Sequence, residues 1–344
     1  MNLKRLFLYL IFLFTGTTSL LAQHPVSMIR MNRQHHFKNK IPAGNYSGIS
    51  RLNDSLYAVV SDKSAQDGFF LFRIRIDSIT GDIIDVDHLG FKGQTILNRD
   101  EEGIAYRPDK KTLLISGEKD QDIVEYDLDG NRTGREATIP DLFRTASTDY
   151  GMEALAYEDS TRTLWTCTEC PLPIDTLSAP NAQSTAYRIR IQAFNDSLQP
   201  IRQYAYQMDL PQMRRKKALH YVMGISELTS LSDGSLLVLE REFYVPRMKL
   251  GASVRCKIYQ IFPDPEAGFT SEEQLTASSP FLPKQLVCQW KTRLGLFSRS
   301  LANYEGMCVG PRLADGSQTL ILISDSQNQY AGVLKDWFRT IVIR

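Results

Sequence analysis

The chain has 344 residues, enough for one large β-domain or two ordinary ones, and its 42% hydrophobic content is enough for a packed core. Lys+Arg total 40 and Asp+Glu total 39. That balance excludes a general binder of nucleic acid or anionic membrane, which needs a basic excess. It also excludes intrinsic disorder, which needs low hydrophobicity and high net charge.

The first segment reads as a leader rather than as part of the fold. Lys4 and Arg5 precede an unbroken apolar run, Leu6 to Phe14, and then Leu20-Leu21-Ala22. This is the pattern of a secretory signal peptide cleaved after Ala22. The apolar run is too short to span a bilayer of roughly 30 Å at about 1.5 Å per residue. No Cys follows it, so a lipoprotein anchor is not expected. The expectation is a signal peptide over 1–22, one domain over 23–344, and a periplasmic or secreted monomer with no membrane attachment after cleavage.

A hairpin unit then recurs along the chain. Its copies are Tyr46 to Asp62, Glu102 to Glu118, Glu153 to Glu169, Glu227 to Glu240 and Glu305 to Asp325. Each has two short apolar runs around an Asp-, Gly- or Pro-containing turn. The second run is almost continuously apolar, as in a strand buried on both faces. Further strand-like runs follow each hairpin, such as Phe69 to Ile76, Asp122 to Asp127, Ala186 to Phe194 and Val254 to Phe262. Four strands per repeat is the propeller pattern. The chain is therefore expected to be all-β, a β-propeller with five clear blades and room for a degenerate sixth. The last repeat is one strand short, and Val26 to Asn32 can supply that strand and close the ring. The strongest helical candidate is Gln207 to His220.

Five cysteines are present: Cys167, Cys170, Cys256, Cys288 and Cys308. Cys167-Thr-Glu-Cys170 has redox-motif spacing but no βαβ context, so it reads as structural. Cys256 and Cys288 fall in consecutive strand runs and are a candidate disulfide in an exported protein.

The ends of the hairpins are acidic. In a propeller blade the innermost strand and its antiparallel neighbour bring the start of one and the end of the other to the same channel mouth. Glu102 with Glu118, Glu153 with Glu169, Glu227 with Glu240, and Glu305 with Asp325 occupy those two places. In the first blade Ser47 replaces the inner acid and Asp62 keeps the outer one. Like charges held this close raise one another's pKa values and oppose folding unless something neutralises them. Ca²⁺ is the expected counter-ion, because it takes six to eight oxygens in flexible geometry. Zinc would need His or Cys, and none of the five histidines has metal-ligand spacing inside the repeat. The expected metal ligands are thus Asp62, Glu102, Glu118, Glu153, Glu169, Glu227, Glu240, Glu305 and Asp325. Arg241 is a further counter-charge or a clamp for an anionic substrate.

No Gly-x-Ser-x-Gly, P-loop, Gly-x-Gly-x-x-Gly or His-Glu-x-x-His occurs. The hairpins resemble those of the phytase-like domain, also called esterase-like activity of phytase, of exported bacterial proteins. The likeness is carried by Glu102-Gly-Ile-Ala105, Gly151-Met-Glu153-Ala-Leu-Ala156, Gly224 to Phe243, Asn303-Tyr-Glu305-Gly-Met307 and Ile323-Ser-Asp325-Ser-Gln-Asn328. It spans Tyr46 to the C-terminus. The resemblance implies a secreted or periplasmic propeller that binds calcium, with phosphoester or carboxylester hydrolase activity.

Three readings of function stay open at this point. The first is a metal-dependent hydrolase of a small, anionic ester, with Glu102 or Glu305 as general base and Arg241 holding the substrate. The second is a non-catalytic binding propeller with structural calcium. The third is a lactonase-type propeller, for which Asn328 and Asp325 near Glu305 are the relevant side chains.

Overall fold

β-Branched and aromatic runs bounded by Asp, Gly and Asn turns leave the backbone little choice but extended hairpins, and hairpins dominate the chain. The computed structural model describes residues 24–176, 186–213, 218–296 and 298–344. The leader read at 1–22 lies outside them. Two short strands, β1 (Met28–Met31) and β2 (His35–His36), come first. Blade one is β3 (Tyr46–Arg51), β4 (Leu56–Ser61), β5 (Asp67–Ile76) and β6 (Ile83–Gln94). Blade two is β7 (Glu101–Arg107), β8 (Thr112–Gly117), β9 (Asp122–Asp127) and β10 (Arg132–Glu136). Blade three is β11 (Met152–Glu158), β12 (Thr163–Thr168), β13 (Arg188–Phe194) and β14 (Pro200–Gln207). Blade four is β15 (Ala218–Ser230), β16 (Leu236–Pro246), β17 (Ser253–Ile261) and β18 (Lys284–Arg293). Blade five is β19 (Asn303–Arg312), β20 (Gln318–Asp325) and β21 (Trp337–Ile343).

The protein is a five-bladed β-propeller, and the sheets pair as β3–β6, β7–β10, β11–β14, β15–β18 and β19–β21. The inner strands β3, β7, β11, β15 and β19 contact one another in turn around the ring. β1 adds to β21 as the outermost strand of blade five, with Met28 opposite Ile343 and Met31 opposite Ile341. Ser27 and Arg344 exchange backbone hydrogen bonds beyond it. The N-terminal strand therefore closes the ring, as its sequence suggests, and no sixth blade forms among the described residues.

The core lies in five wedges between blades rather than in one centre. Tyr46, Phe72 and Ile323 pack between blades five and one. Val60, Leu113 and Tyr126 pack between one and two, Leu114, Phe143 and Leu155 between two and three. Ile191, Tyr206 and Val238 fill the next wedge, and Leu239, Tyr304 and Leu322 the last. Each wedge removes large apolar side chains from water, at about 1.5–3 kcal/mol for each one fully buried. The stiff ring that results fixes where the inner-strand ends stand.

Two expectations need correction. Gln207 to His220 does not form a helix among its described residues: Gln207 ends β14 and Ala218–His220 open β15, while 214–217 lie outside the described set. Cys256 and Cys288 carry no disulfide. Cys256 pairs with Trp290, and Cys288 with Ile258, so the two are offset diagonally across β17 and β18. Diagonal neighbours stand roughly 7–8 Å apart, beyond the reach of the usual disulfide geometry. Cys167, Cys256, Cys288 and Cys308 are buried thiols. Dithiothreitol is therefore expected to leave the melting temperature unchanged. A drop of several degrees on reduction would show that a disulfide supports the ring.

Candidate active site

Each inner strand bulges near its mouth end. The ladder skips Glu153 between Met152 and Ala154, Ser226 between Ile225 and Glu227, and Glu305 between Tyr304 and Gly306. The corresponding irregularities in blades one and two span Ser47-Gly48 and Glu102-Gly103. A bulge re-aims the side chain it carries. The inner position is therefore Ser47, Glu102, Glu153, Ser226 and Glu305 around the ring.

This register moves Glu227 out of the set. The residue after the bulge is Gly48, Gly103, Ala154 or Gly306 in the other blades, where the chain packs tightly. A Cβ on Gly103 would come within 2.6 Å of the Glu153 carbonyl oxygen. Glu227 occupies that place in blade four, deeper in the channel and almost wholly buried. Its Oε1 accepts from Leu155 N at 3.2 Å and Leu228 N at 3.0 Å. Burial pushes its carboxyl well above the usual range, and those N–H groups oppose the shift.

The outer position follows from the same ladders. Asp62, Glu118 and Glu169 donate their backbone N–H groups to Asn45, Asp100 and Gly151. Asp325 faces Asn303, and Arg241 faces Gly224. Blade four thus presents Arg241, not Glu240, at the mouth. Glu240 lies one residue earlier and turns into the wedge between blades three and four. There it accepts from Tyr206 Oη at 2.7 Å and Lys284 Nζ at 2.6 Å. Of the nine acids expected at the mouth, seven meet there, and Glu227 and Glu240 do not.

The mouth opens into a cavity of about 700 Å³. Its lining includes Asp62, Glu102, Glu118, Glu153, Glu169, Glu305 and Asp325, joined by Asp100 and Asp149, which sequence reasoning missed. Asp100 carried a readable signal, since it immediately precedes β7 beside Glu101 and Glu102. Arg241 bridges the ring: one guanidinium nitrogen donates to Glu169, and the other to Glu305 and to Asn303 Oδ1, the last at 2.9 Å. Asn303 also donates to Glu305 Oε1 at 2.8 Å and faces Asp325 Oδ2 at 3.4 Å. Lys63 pairs with Asp62 at 3.0 Å and with Asp100 at 3.1 Å. Asn328, the residue a lactonase reading draws on, lines a separate cavity beside Ala43 and Phe91. Asn303 stands between Glu305 and Asp325 instead.

These pairs leave much of the charge uncompensated. Glu102 and Glu153 are 7% and 6% exposed, line the cavity, and have no hydrogen bond or ion pair with any described residue. Asp62 Oδ1 is buried and accepts no hydrogen bond. Burial raises the Glu102 carboxyl well above the usual range, and Glu153, Asp62 and Glu305 raise it further. Burial does the same to Glu153, with Glu169 and Glu305 adding to it. Burial raises Glu305 too, against the pull of Arg241. Burial and neighbouring charge bring Glu118 and Asp325 each up to about 7.

The donors at the mouth are carboxylate and amide oxygens, with His220 the one imidazole on the lining. That chemistry suits a hard cation of flexible coordination. Among the described residues, no group of three or more His, Cys, Asp or Glu side chains is already disposed to hold a metal ion. A cation would have to draw Glu102, Glu153 and Asp62 together, and no partner that the structure gives Glu102 or Glu153 opposes that.

The sequence matches the phytase-like family, described as esterase-like activity of phytase, over residues 41–327. The chain belongs to this family. The match covers all five blades up to the end of β20 and includes every acid of the mouth. No curated protein matches the sequence. Among solved structures, a streptogramin B lyase is 11% identical, with 91% of this chain and 98% of that one covered and a TM-score of 0.37. A duf4221 family member from Bacteroides vulgatus is 7% identical, with 93% and 98% covered and a TM-score of 0.41. A Trichoderma reesei carbohydrate-active enzyme of family AA12 is 9% identical, with 94% and 99% covered and a TM-score of 0.41. None of their chemistry transfers to this phytase-like chain.

Proposed function

We propose that this phytase-like protein is an exported, calcium-binding propeller that hydrolyses esters at its acidic mouth. The observation that carries this reading is the pair Glu102 and Glu153, buried, bare and facing the cavity. Two such carboxylates are costly to ionise unless a cation joins them. Glu102 and Glu153, with Asp62 through its unpartnered Oδ1, would hold calcium. Bound there, calcium supplies positive charge and a Lewis-acid contact for the oxygen of an ester.

The remaining chemistry belongs to the chain. Glu305 Oε1 is held by Arg241 and Asn303, while Oε2 accepts no hydrogen bond from any described residue. A carboxylate fixed by one oxygen and open at the other is a suitable general base. The water oxygen bonds to the acyl or phosphoryl centre as its proton passes to Glu305 Oε2. The bond to the leaving oxygen then breaks, and that oxygen takes the proton from Glu305. Arg241 acts as a positioning residue here, because both its outer nitrogens are engaged by protein carboxylates.

The test is turnover of phytate, p-nitrophenyl phosphate and p-nitrophenyl acetate in calcium and in EDTA. Turnover on at least one is expected in calcium and not in EDTA. Glu305→Gln should lower kcat by about 100-fold with little change in KM. No metal-dependent turnover on any substrate, together with a melting temperature that EDTA lowers, would favour the non-catalytic propeller with structural calcium.

A further inference from the structure

We infer that the mouth takes a neutral carboxylic ester with an apolar acyl chain, rather than a phosphate ester. This rests on the reading of the mouth as a hydrolytic site and goes beyond it by naming the substrate class. The cavity has two unlike halves. The acids stand on blades one, two, three and five. The other side is an apolar wall: Val222, Phe243 and Val245 from blade four, and Leu294, Leu301 and Leu334 from the segments that follow. The wall is continuous with the core between blades four and five, where Phe243, Leu301 and Leu334 are buried and Val245 and Leu294 pack against them. It is therefore rigid and backed by packed side chains. An exposed loop surface would have neither property.

The charges argue against a phosphorylated substrate. Nine carboxylates line the cavity, against the three cations Lys63, Arg241 and Lys249. Arg241 is taken by Glu169 and Glu305, and Lys63 by Asp62 and Asp100. Lys249 Nζ donates to Tyr330 Oη at 3.2 Å and lies 5.5 Å from the centre of that ring. Phosphate recognition needs unengaged Arg or Lys donors, and here two of the three cations are already consumed. A phosphate ester would also bring several negative charges to a mouth where the proposed calcium stands against nine carboxylates. A neutral ester brings none, and its acyl chain gains by leaving water for the wall. A cavity of about 700 Å³ falls within the range of small-molecule sites. In the reaction, water adds its oxygen to the acyl carbon, the bond to the alkoxy oxygen breaks, and the products are the carboxylic acid and the alcohol.

Two readouts test this, one of them independent of turnover. Octyl methyl ketone, a non-hydrolysable neutral mimic, is titrated calorimetrically into the full chain in calcium, alongside phytate. The ketone is expected to bind and phytate not. Val245→Asn, a neutral polar change at a half-buried wall position, should weaken ketone binding at least about tenfold while leaving calcium affinity unchanged. In the kinetic arm, kcat/KM for p-nitrophenyl octanoate should exceed that for the acetate at least about tenfold, with no turnover of p-nitrophenyl phosphate. Ketone binding that Val245→Asn weakens, with no ester cleaved, supports the apolar pocket and removes the hydrolase reading. Ester cleavage indifferent to chain length, or phytate bound in preference to the ketone, overturns this inference and leaves the hydrolase reading standing.

Discussion

Arg241→Met is expected to lower the unfolding free energy by about 3–5 kcal/mol. Arg241 is 5% exposed and is shared by Glu169 and Glu305, themselves 4% and 12% exposed. Removing it leaves two carboxylates in the mouth with no cation, beside Glu153, which loses the longer-range attraction of the same guanidinium. Methionine keeps most of the volume, so the loss reports charge rather than a cavity. Arg241→Lys should recover only part of it, since one ammonium cannot reproduce the fork that reaches both carboxylates and Asn303. The measurement is urea unfolding followed by circular dichroism at pH 7.5 in EDTA. The deficit should shrink in acid, because burial holds the Glu305 carboxyl high and it takes up a proton readily. A deficit under 1 kcal/mol at pH 7.5 would mean that the guanidinium does not hold the mouth together.

The double variant Glu102→Gln/Glu153→Gln is expected to be more stable than the parent without calcium, by about 2 kcal/mol or more at pH 8. Both carboxyls are raised by burial first and by neighbouring acids second. The native state therefore keeps protons that the unfolded chain has already released. Stability from such groups is full below their unfolded pKa and is lost as pH rises through the folded one. Glu118 and Asp325 act in the same direction, from 4.5 and 3.8 up to about 7. The calcium-free parent should thus melt at progressively lower temperature from pH 5 to pH 8, losing up to about 1.4 kcal/mol per pH unit for each group. The variant should show a shallower slope. Calcium should raise the melting temperature of the parent at pH 8 and leave the variant nearly unchanged, since two of the proposed ligands are gone. A variant that still responds fully to calcium would place the ion elsewhere.

The stability of the mouth and its proposed reactivity have the same origin. Carboxylates that oppose folding when bare are the groups that would gain most from a cation. The ring tolerates them because five apolar wedges fix the inner strands that carry them. In this respect the mouth is a strained region placed on a rigid frame, the arrangement expected where side chains must stay poised.

Much of this was legible in the chain itself. Nearly continuous apolar runs such as Leu56–Ser61 and Thr112–Gly117 define strands through local propensity, and the five copies of their hairpin, each followed by further strand runs, define blades. The missing strand of the last blade pointed to Val26 to Asn32 because a sheet edge left open there would expose unpaired backbone. Hairpin geometry also brought Glu102, Glu118, Glu153, Glu169, Glu305, Asp325 and Asp62 to one mouth, since antiparallel neighbours must share an end.

Blade four shows where local information ends. Glu227 and Glu240 match the acidic pattern by residue type, yet one-residue register decides which side chain a bulge turns toward the channel. Aligning Gly224-Ile-Ser226 with Gly151-Met-Glu153 would have exposed the offset, and would have placed Arg241 where the other blades carry an acid. Register is fixed by ladder pairing with β16 and by the space left by the facing strands, both of them long-range contacts. The diagonal offset of Cys256 from Cys288 is another result of pairing register. The apolar wall is also a tertiary product, assembled from Val222, Phe243, Leu301 and Leu334, which no sequence window contains together. The sequence alone determined that acids would gather at one mouth. Only the folded ring decided which seven of the nine expected acids do so, that an arginine completes the circle, and that one side of the cavity is greasy.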